Sequence, residues 1–258
     1  VIDDLGTPVP LPRPPRRVVS LVPSLTEALA VTVPERLVGA TDWCTHPAGL
    51  DIARVRGTKN PDRAAIAALT PDLVVANQEE NRQLDVERLR AAGIPVWVTR
   101  IETLEQALTS MGRLFDEVLD VGTPDWLAAA TQAWAEPAPP GPRVAVPVWR
   151  DPWMWVGART FTGDLLARLG CTNAVTAERY PKLEPADVDA DLVLLPDEPY
   201  VFTAGDGPEA FPGTPTALVS GRQLTWYGPS LATARTELLA AVAPWTSPRT
   251  GRPGYSQL

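Results

Sequence analysis

A stretch of eight residues, Asp72-Leu-Val-Val-Ala-Asn-Gln-Glu79, recurs loosely as Asp191-Leu-Val-Leu-Leu-Pro-Asp-Glu198, and this echo constrains the fold more than any other feature of the chain. Each copy is a short apolar run entered from an aspartate and left through a polar loop with a glutamate at the same offset. Such a run suits a strand covered on both faces in a parallel sheet, and the loop after it suits a ligand or partner edge. One copy in each half of the chain predicts two lobes of one design.

The flanking segments repeat as well. Arg16 to Leu21 reads as a strand, and Ser24-Leu-Thr-Glu27 reads as a capping box that opens a helix running to about Val31. Asn60-Pro61-Asp62 caps a helix over residues 63 to 69, Arg82 to Ala92 is helical with Gly93 at its end, and Ile94 to Thr99 is again a strand. This alternation predicts a doubly wound parallel sheet. Residues 103 to 135 break it: a second capping box, Thr103-Leu-Glu-Gln106, precedes apolar residues at helical spacing, and Pro124 to Trp134 forms a further helical stretch.

The strand-and-helix rhythm restarts at Arg143 to Val148, continues through a helix ending at Gly170 and the echo strand, and closes with a helix from about Ser230 to Val242. The expected architecture is therefore α/β, with an N-terminal lobe over 1–101, a long helical connector over 102–136, a C-terminal lobe over 137–258 and a ligand cleft between the lobes. Residues 1 to 15, with five prolines, are expected as an extended strap, and the tail after Pro244 as frayed.

Composition narrows the function classes. A formal charge of -8 over 258 residues argues against nucleic acid or an anionic membrane surface as the main partner. Two well-separated cysteines, Cys44 and Cys171, are expected as buried unpaired thiols rather than a disulfide framework or a metal site. No export leader precedes Val1 in the chain as it stands, so a cytoplasmic location is expected, or an extracytoplasmic one if a leader has been trimmed.

The cleft residues follow from the loops at the strand ends. The first lobe offers Trp43 and His46 and the Lys59-Asn60 loop; the second offers Trp149, Trp153, Trp155, Tyr180, Trp226 and Tyr227. Aromatics placed there suit stacking on a large, flat, partly apolar ligand, although any one of them could instead plug a lobe surface. Catalytic readings do poorly. The single histidine, His46, would have to partner Cys44 two residues away, and no hydrolase, metalloprotease or nucleotide motif is present. No catalytic cofactor and no protein-held metal are expected.

Four stretches carry a resemblance: Arg17-Val-Val-Ser-Leu-Val-Pro-Ser-Leu-Thr-Glu27, Leu37-Val-Gly-Ala-Thr-Asp-Trp-Cys44, Gly57-Thr-Lys-Asn-Pro-Asp62 and Leu69-Thr-Pro-Asp-Leu-Val-Val75. Together they resemble the cobalamin-binding members of the ABC-importer substrate-binding proteins, a superfamily with a helical backbone that also takes up siderophores, haem and metals. The resemblance implies a monomeric, non-catalytic carrier of cobalamin or a related corrinoid, with limited closure about a helix. It also implies that a carboxylate on each lobe docks to a permease, which makes Glu79 or its neighbour Glu80, together with Glu198, the matching candidates. Two alternatives stay open: a ferric-siderophore or haem carrier using Arg150 and Arg159, and a corrinoid-processing enzyme using Cys44 and His46.

Overall fold

The computed structural model describes residues 1–245; the expectation of a frayed tail falls largely on residues 246–258, outside the described residues. In the first lobe β1 (Val18–Ser20), α1 (Pro23–Thr32), β2 (Leu37–Ala40), β3 (Ala53–Arg54), α2 (Arg63–Ala68), β6 (Leu73–Asn77), α3 (Gln83–Ala91) and β7 (Val96–Thr99) build one sheet and its flanking helices. A two-stranded turn, β4 (Arg56–Gly57) and β5 (Asn60–Pro61), intervenes after β3. The sheet order is β3-β2-β1-β6-β7, and every neighbouring pair is parallel.

The second lobe repeats the plan with fewer strands. Here β8 (Arg143–Ala145), the antiparallel pair β9 (Pro147–Trp149) and β10 (Met154–Trp155), α6 (Phe161–Arg168), β11 (Thr172–Asn173), β12 (Leu192–Pro196) and β13 (Thr216–Val219) precede two helices, α7 (Gly221–Thr225) and α8 (Leu231–Val242). The parallel sheet runs β11-β8-β12-β13.

The echo has a structural cause. Both copies are fully buried strands, β6 and β12, and each lies beside the first strand of its lobe. The leading aspartates do the same work. Asp72 accepts the backbone N–H groups of Arg16 and Arg17 at 2.9 and 3.1 Å, and Asp191 accepts that of Arg143 at 3.1 Å. Each carboxylate thus satisfies donors that the neighbouring strand leaves open where it enters the sheet.

Between the lobes lie α4 (Leu104–Arg113), continued by a π-type turn over Leu114–Val118, and α5 (Asp125–Ala133). The connector consists of two helices, broken where Asp120 and Gly122 take positive φ ahead of Pro124. Thr103 caps α4 by accepting the N–H of Gln106 at 3.1 Å. The other expected capping box does not form. Pro23 occupies the first turn of α1, no side chain caps that helix, and Glu27 is engaged elsewhere. A single apolar core runs from the first lobe through Leu104, Met111, Leu114 and Phe115 to Leu165 and Leu238 of the second. No helix among the described residues is long and apolar enough to cross a membrane.

The N-terminal strap is held by charge. Asp3 pairs with Arg90 at 2.6 Å and Asp4 with Arg113 at 2.8 Å, while Val9 is buried in the core.

Trp153 and Trp155 correct the sequence reading, because both belong to the core of the second lobe. Trp155 is 0% exposed, lies near-parallel to Trp153 with ring centroids 6.0 Å apart, and donates its indole N–H to the Leu183 carbonyl at 2.9 Å. Trp153 also stacks on Phe202 and meets Phe211 edge-on. The β9–β10 hairpin turns these rings inward, where they fill a space that the short sheet leaves open. Trp155→Ala is expected to cost about 3–5 kcal/mol of stability, read from urea unfolding, whereas Trp149→Ala, at an exposed position, should stay within about 0.5 kcal/mol.

Candidate functional site

Where the C-terminal ends of the two sheets face each other, a cavity of about 370 Å³ opens between the lobes. Its first-lobe wall is Pro23 at the head of α1, Asn77 at the end of β6, and the Glu79-Glu80 loop. Ile101 enters from the start of the connector, and Val148, Phe161, Thr162, Tyr180, Glu198, Pro199 and Thr225 to Tyr227 form the opposite wall.

The carboxylates are held in place by the loops that carry them. Asn77 donates to Thr99 Oγ1 at 3.0 Å and accepts the N–H of Glu79 at 2.8 Å, while Asn81 accepts the N–H of Asn77 at 2.9 Å and donates to the Leu21 and Thr58 carbonyls. On the other side Asp197 accepts the N–H of Gly221 at 2.6 Å. A Cβ at Gly221 would lie 2.4 Å from Glu198 Cγ, so only glycine lets α7 begin this close to the carboxylate.

Charged contacts tie the lobes across the cleft. Arg222 of α7 donates to Glu27 of α1, and Arg179 forks between Glu79 of the first lobe and Glu102, the latter at 2.7 Å, next to the connector. Tyr180 donates to the second oxygen of Glu79 at 3.3 Å. The backbone also closes tightly there, since a Cβ on Gly228 would come within 2.9 Å of the Ser24 carbonyl.

Three glutamates therefore face one small space. Burial raises all three, to about 7 for Glu80 and for Glu198. Lys59 opposes the rise at Glu80 while Glu79 adds to it; at Glu198, Asp197 adds and Arg222 opposes; at Glu79, burial outweighs the Arg179 guanidinium. Tyr227 is 6% exposed, and its hydroxyl, set among Glu80, Ser24 and Thr99, makes no hydrogen bond of ordinary geometry. One oxygen of Glu198 is likewise buried without a partner.

Glu79, Glu80 and Glu198, the residues expected to dock a partner, all line this cavity between the lobes, and each remains partly exposed.

The predicted aromatics divide into three groups. Tyr180, Trp226 and Tyr227 line the cavity. Trp43, 68% exposed, and Trp149 stand outside it, although Val148, beside Trp149, is part of the wall; His46 also lies outside it, meeting Trp226 edge-on at 5.3 Å. Trp153 and Trp155 are core. Lys59 reaches the Glu79 carbonyl with its ammonium, and Asn60 is exposed on the β4–β5 turn; neither lines the cavity. Phe161, Val148, Ile101 and the arginines Arg179 and Arg222 were missed, since nothing local in the sequence marks a helix-start phenylalanine or a cross-lobe arginine.

The two alternatives lose the residues they named. Arg150 pairs with Asp206 and Glu209, and Arg159 faces Glu102 and Glu178; neither lines the cavity. Burial raises the Cys44 pKa, opposed by the Thr26 and Thr41 hydroxyls that contact its thiol at 3.0 and 3.1 Å, while His46 Nδ1 lies 3.3 Å from Thr45 Oγ1. No nucleophile and base meet there. Cys44 and Cys171 are both free and buried. Among the described residues no group of three or more His, Cys, Asp or Glu could hold a metal ion.

A carboxylate with a folded-state pKa raised above its ordinary 4.5 leaves stability fully present below that value and removes it as pH rises through the folded pKa. The protein should accordingly lose stability between about pH 5 and pH 8. The double variant Glu80→Gln/Glu198→Gln should match the parent at pH 5 and exceed it by on the order of 1–3 kcal/mol at pH 8 in urea unfolding. Equal stability at both pH values would count against the buried carboxylates.

Comparison with known proteins bears out the resemblance read from the sequence. The chain is 30% identical over 113 residues to the vitamin B12-binding protein of Vibrio campbellii, and 32% identical over 102 residues to that of Pectobacterium carotovorum. The matched segments are 42% and 39% of this chain and span 41% and 37% of those relatives' length. No family model matches. Among solved structures, the periplasmic haem-binding protein RhuT of Roseiflexus superposes with a TM-score of 0.75 at 20% identity, covering 89% of this chain and 98% of that one. The periplasmic vitamin B12-binding protein BtuF of Vibrio cholerae gives 0.71 at 16% identity, covering 90% and 98%. Superposed over about nine-tenths of its length in this way, the chain has the fold of the two-lobed periplasmic binding proteins.

Proposed function

We propose that the protein is a non-catalytic carrier of cobalamin or a related corrinoid, held in the cleft between its lobes. The observation that carries this reading is the cavity wall: Trp226, Tyr227, Phe161, Tyr180, Val148 and Ile101 present apolar and aromatic surface from both lobes and the connector to one space. The ligand brings its own metal. The corrinoid enters this open cavity from the solvent side, with the exposed Trp43 and Trp149 available to its outer part. The relatives named for vitamin B12 support the ligand class, and the solved neighbours, described as periplasmic, support an extracytoplasmic carrier that hands its ligand to an ABC permease.

Charged contacts across the cleft support limited closure. Arg222 with Glu27 and Arg179 with Glu79 and Glu102 hold the lobes close, and the shared core along α4 stiffens the join.

The test is a titration of purified protein with cyanocobalamin, haem and a ferric siderophore, read by tryptophan fluorescence and visible absorption. Cyanocobalamin should quench the fluorescence, Trp226→Ala should weaken binding about tenfold or more, and Cys44→Ala should leave affinity unchanged. Quenching by none of the three would remove the carrier reading.

A further inference from the structure

The cavity combines an apolar wall with a floor that accepts hydrogen bonds. Glu80 and Glu198 stand on opposite sides of it, Glu198 with one buried oxygen unpartnered. The Tyr227 hydroxyl, more than nine-tenths buried, lies among Glu80, Ser24 and Thr99 without a hydrogen bond of ordinary geometry. Nearby cations are already engaged: Arg179 by Glu79 and Glu102, Arg222 by Glu27, and Lys59 by the Glu79 carbonyl. Among the described residues no arginine, lysine or histidine side chain lines the cavity.

A carboxylate that is ionised only accepts hydrogen bonds, and a buried acceptor without a donor costs free energy that a ligand N–H recovers. An anionic group brought to the same place would meet like charge, and the nearby cations, Lys59, Arg179 and Arg222, are already engaged by protein acceptors.

We propose that the cleft floor is a subsite for neutral carboxamide N–H groups, donated by the ligand's rim to Glu80 and Glu198, and that it excludes chelates rimmed with carboxylates. This rests on the carrier reading above and sharpens it. A corrin ring bears primary amides around its edge, whereas a porphyrin of the haem type bears two propionates, so the floor selects between two macrocycles that aromatic walls alone would accept equally. Tyr227, able both to donate and to accept, completes the site beside Glu80.

The experiment compares cyanocobalamin with its monocarboxylic acids, each having one rim amide hydrolysed, and with haemin, on the parent protein and on Glu80→Gln/Glu198→Gln at pH 8. Near-ultraviolet circular dichroism confirms that the variant keeps its fold. The parent should bind cyanocobalamin, and at least one monocarboxylic acid should bind about tenfold or more weakly. Haemin should bind more weakly than cyanocobalamin. In the variant, whose side-chain amides both donate and accept, the affected acid should recover most of its affinity. If every monocarboxylic acid binds the parent as tightly as cyanocobalamin, or if the variant changes nothing, the subsite is wrong while the carrier reading stands. If cyanocobalamin does not bind, both fall.

Discussion

Two aspartates at the entry of two buried strands underlie the architecture. Asp72 and Asp191 each close the backbone donors of the first strand in their lobe, which fixes β6 against β1 and β12 against β8. With those strands in place, the loops that leave them must emerge at the same end of each sheet. Facing lobes then bring Glu79, Glu80 and Glu198 into one space. The energetic tension of the site arises here, because packing supplied by Leu73 to Asn77 and Leu192 to Pro196 delivers carboxylates to a position that water only partly reaches.

The sequence revealed much of this plan and little of its fine placement. The echo, the strand-helix alternation and the caps at Asp62 and Thr103 are local signals, and the structure repeats them. Trp153 and Trp155 illustrate the limit. A tryptophan after a strand reads equally as a ligand platform or as a plug, and the choice depends on the β9–β10 hairpin, whose inward turn no local pattern announces. Glu27 shows the same limit at a helix start. Its spacing from Ser24 suggests a capping box, yet Arg222, far along the chain in the other lobe, claims the carboxylate. The cleft was thus legible as a location, and its charged ties were not, since each joins residues distant in sequence.

The second lobe shows how a short sheet is compensated. With four strands to the first lobe's five, it completes its packing with aromatic rings: Trp153 between Trp155 and Phe202, with Phe211 across their edges. These rings are close enough for favourable offset and edge contacts. Aromatic residues in this protein therefore serve two separate ends, interior packing and the cleft wall.

Arg179 holds a left-handed backbone conformation, with φ of 63°, and from it a single guanidinium reaches a carboxylate on the opposite lobe and another at the foot of the connector. It acts as a gauge block set between two jaws. Any movement that separates the lobes must first break that fork and expose the charges it satisfies.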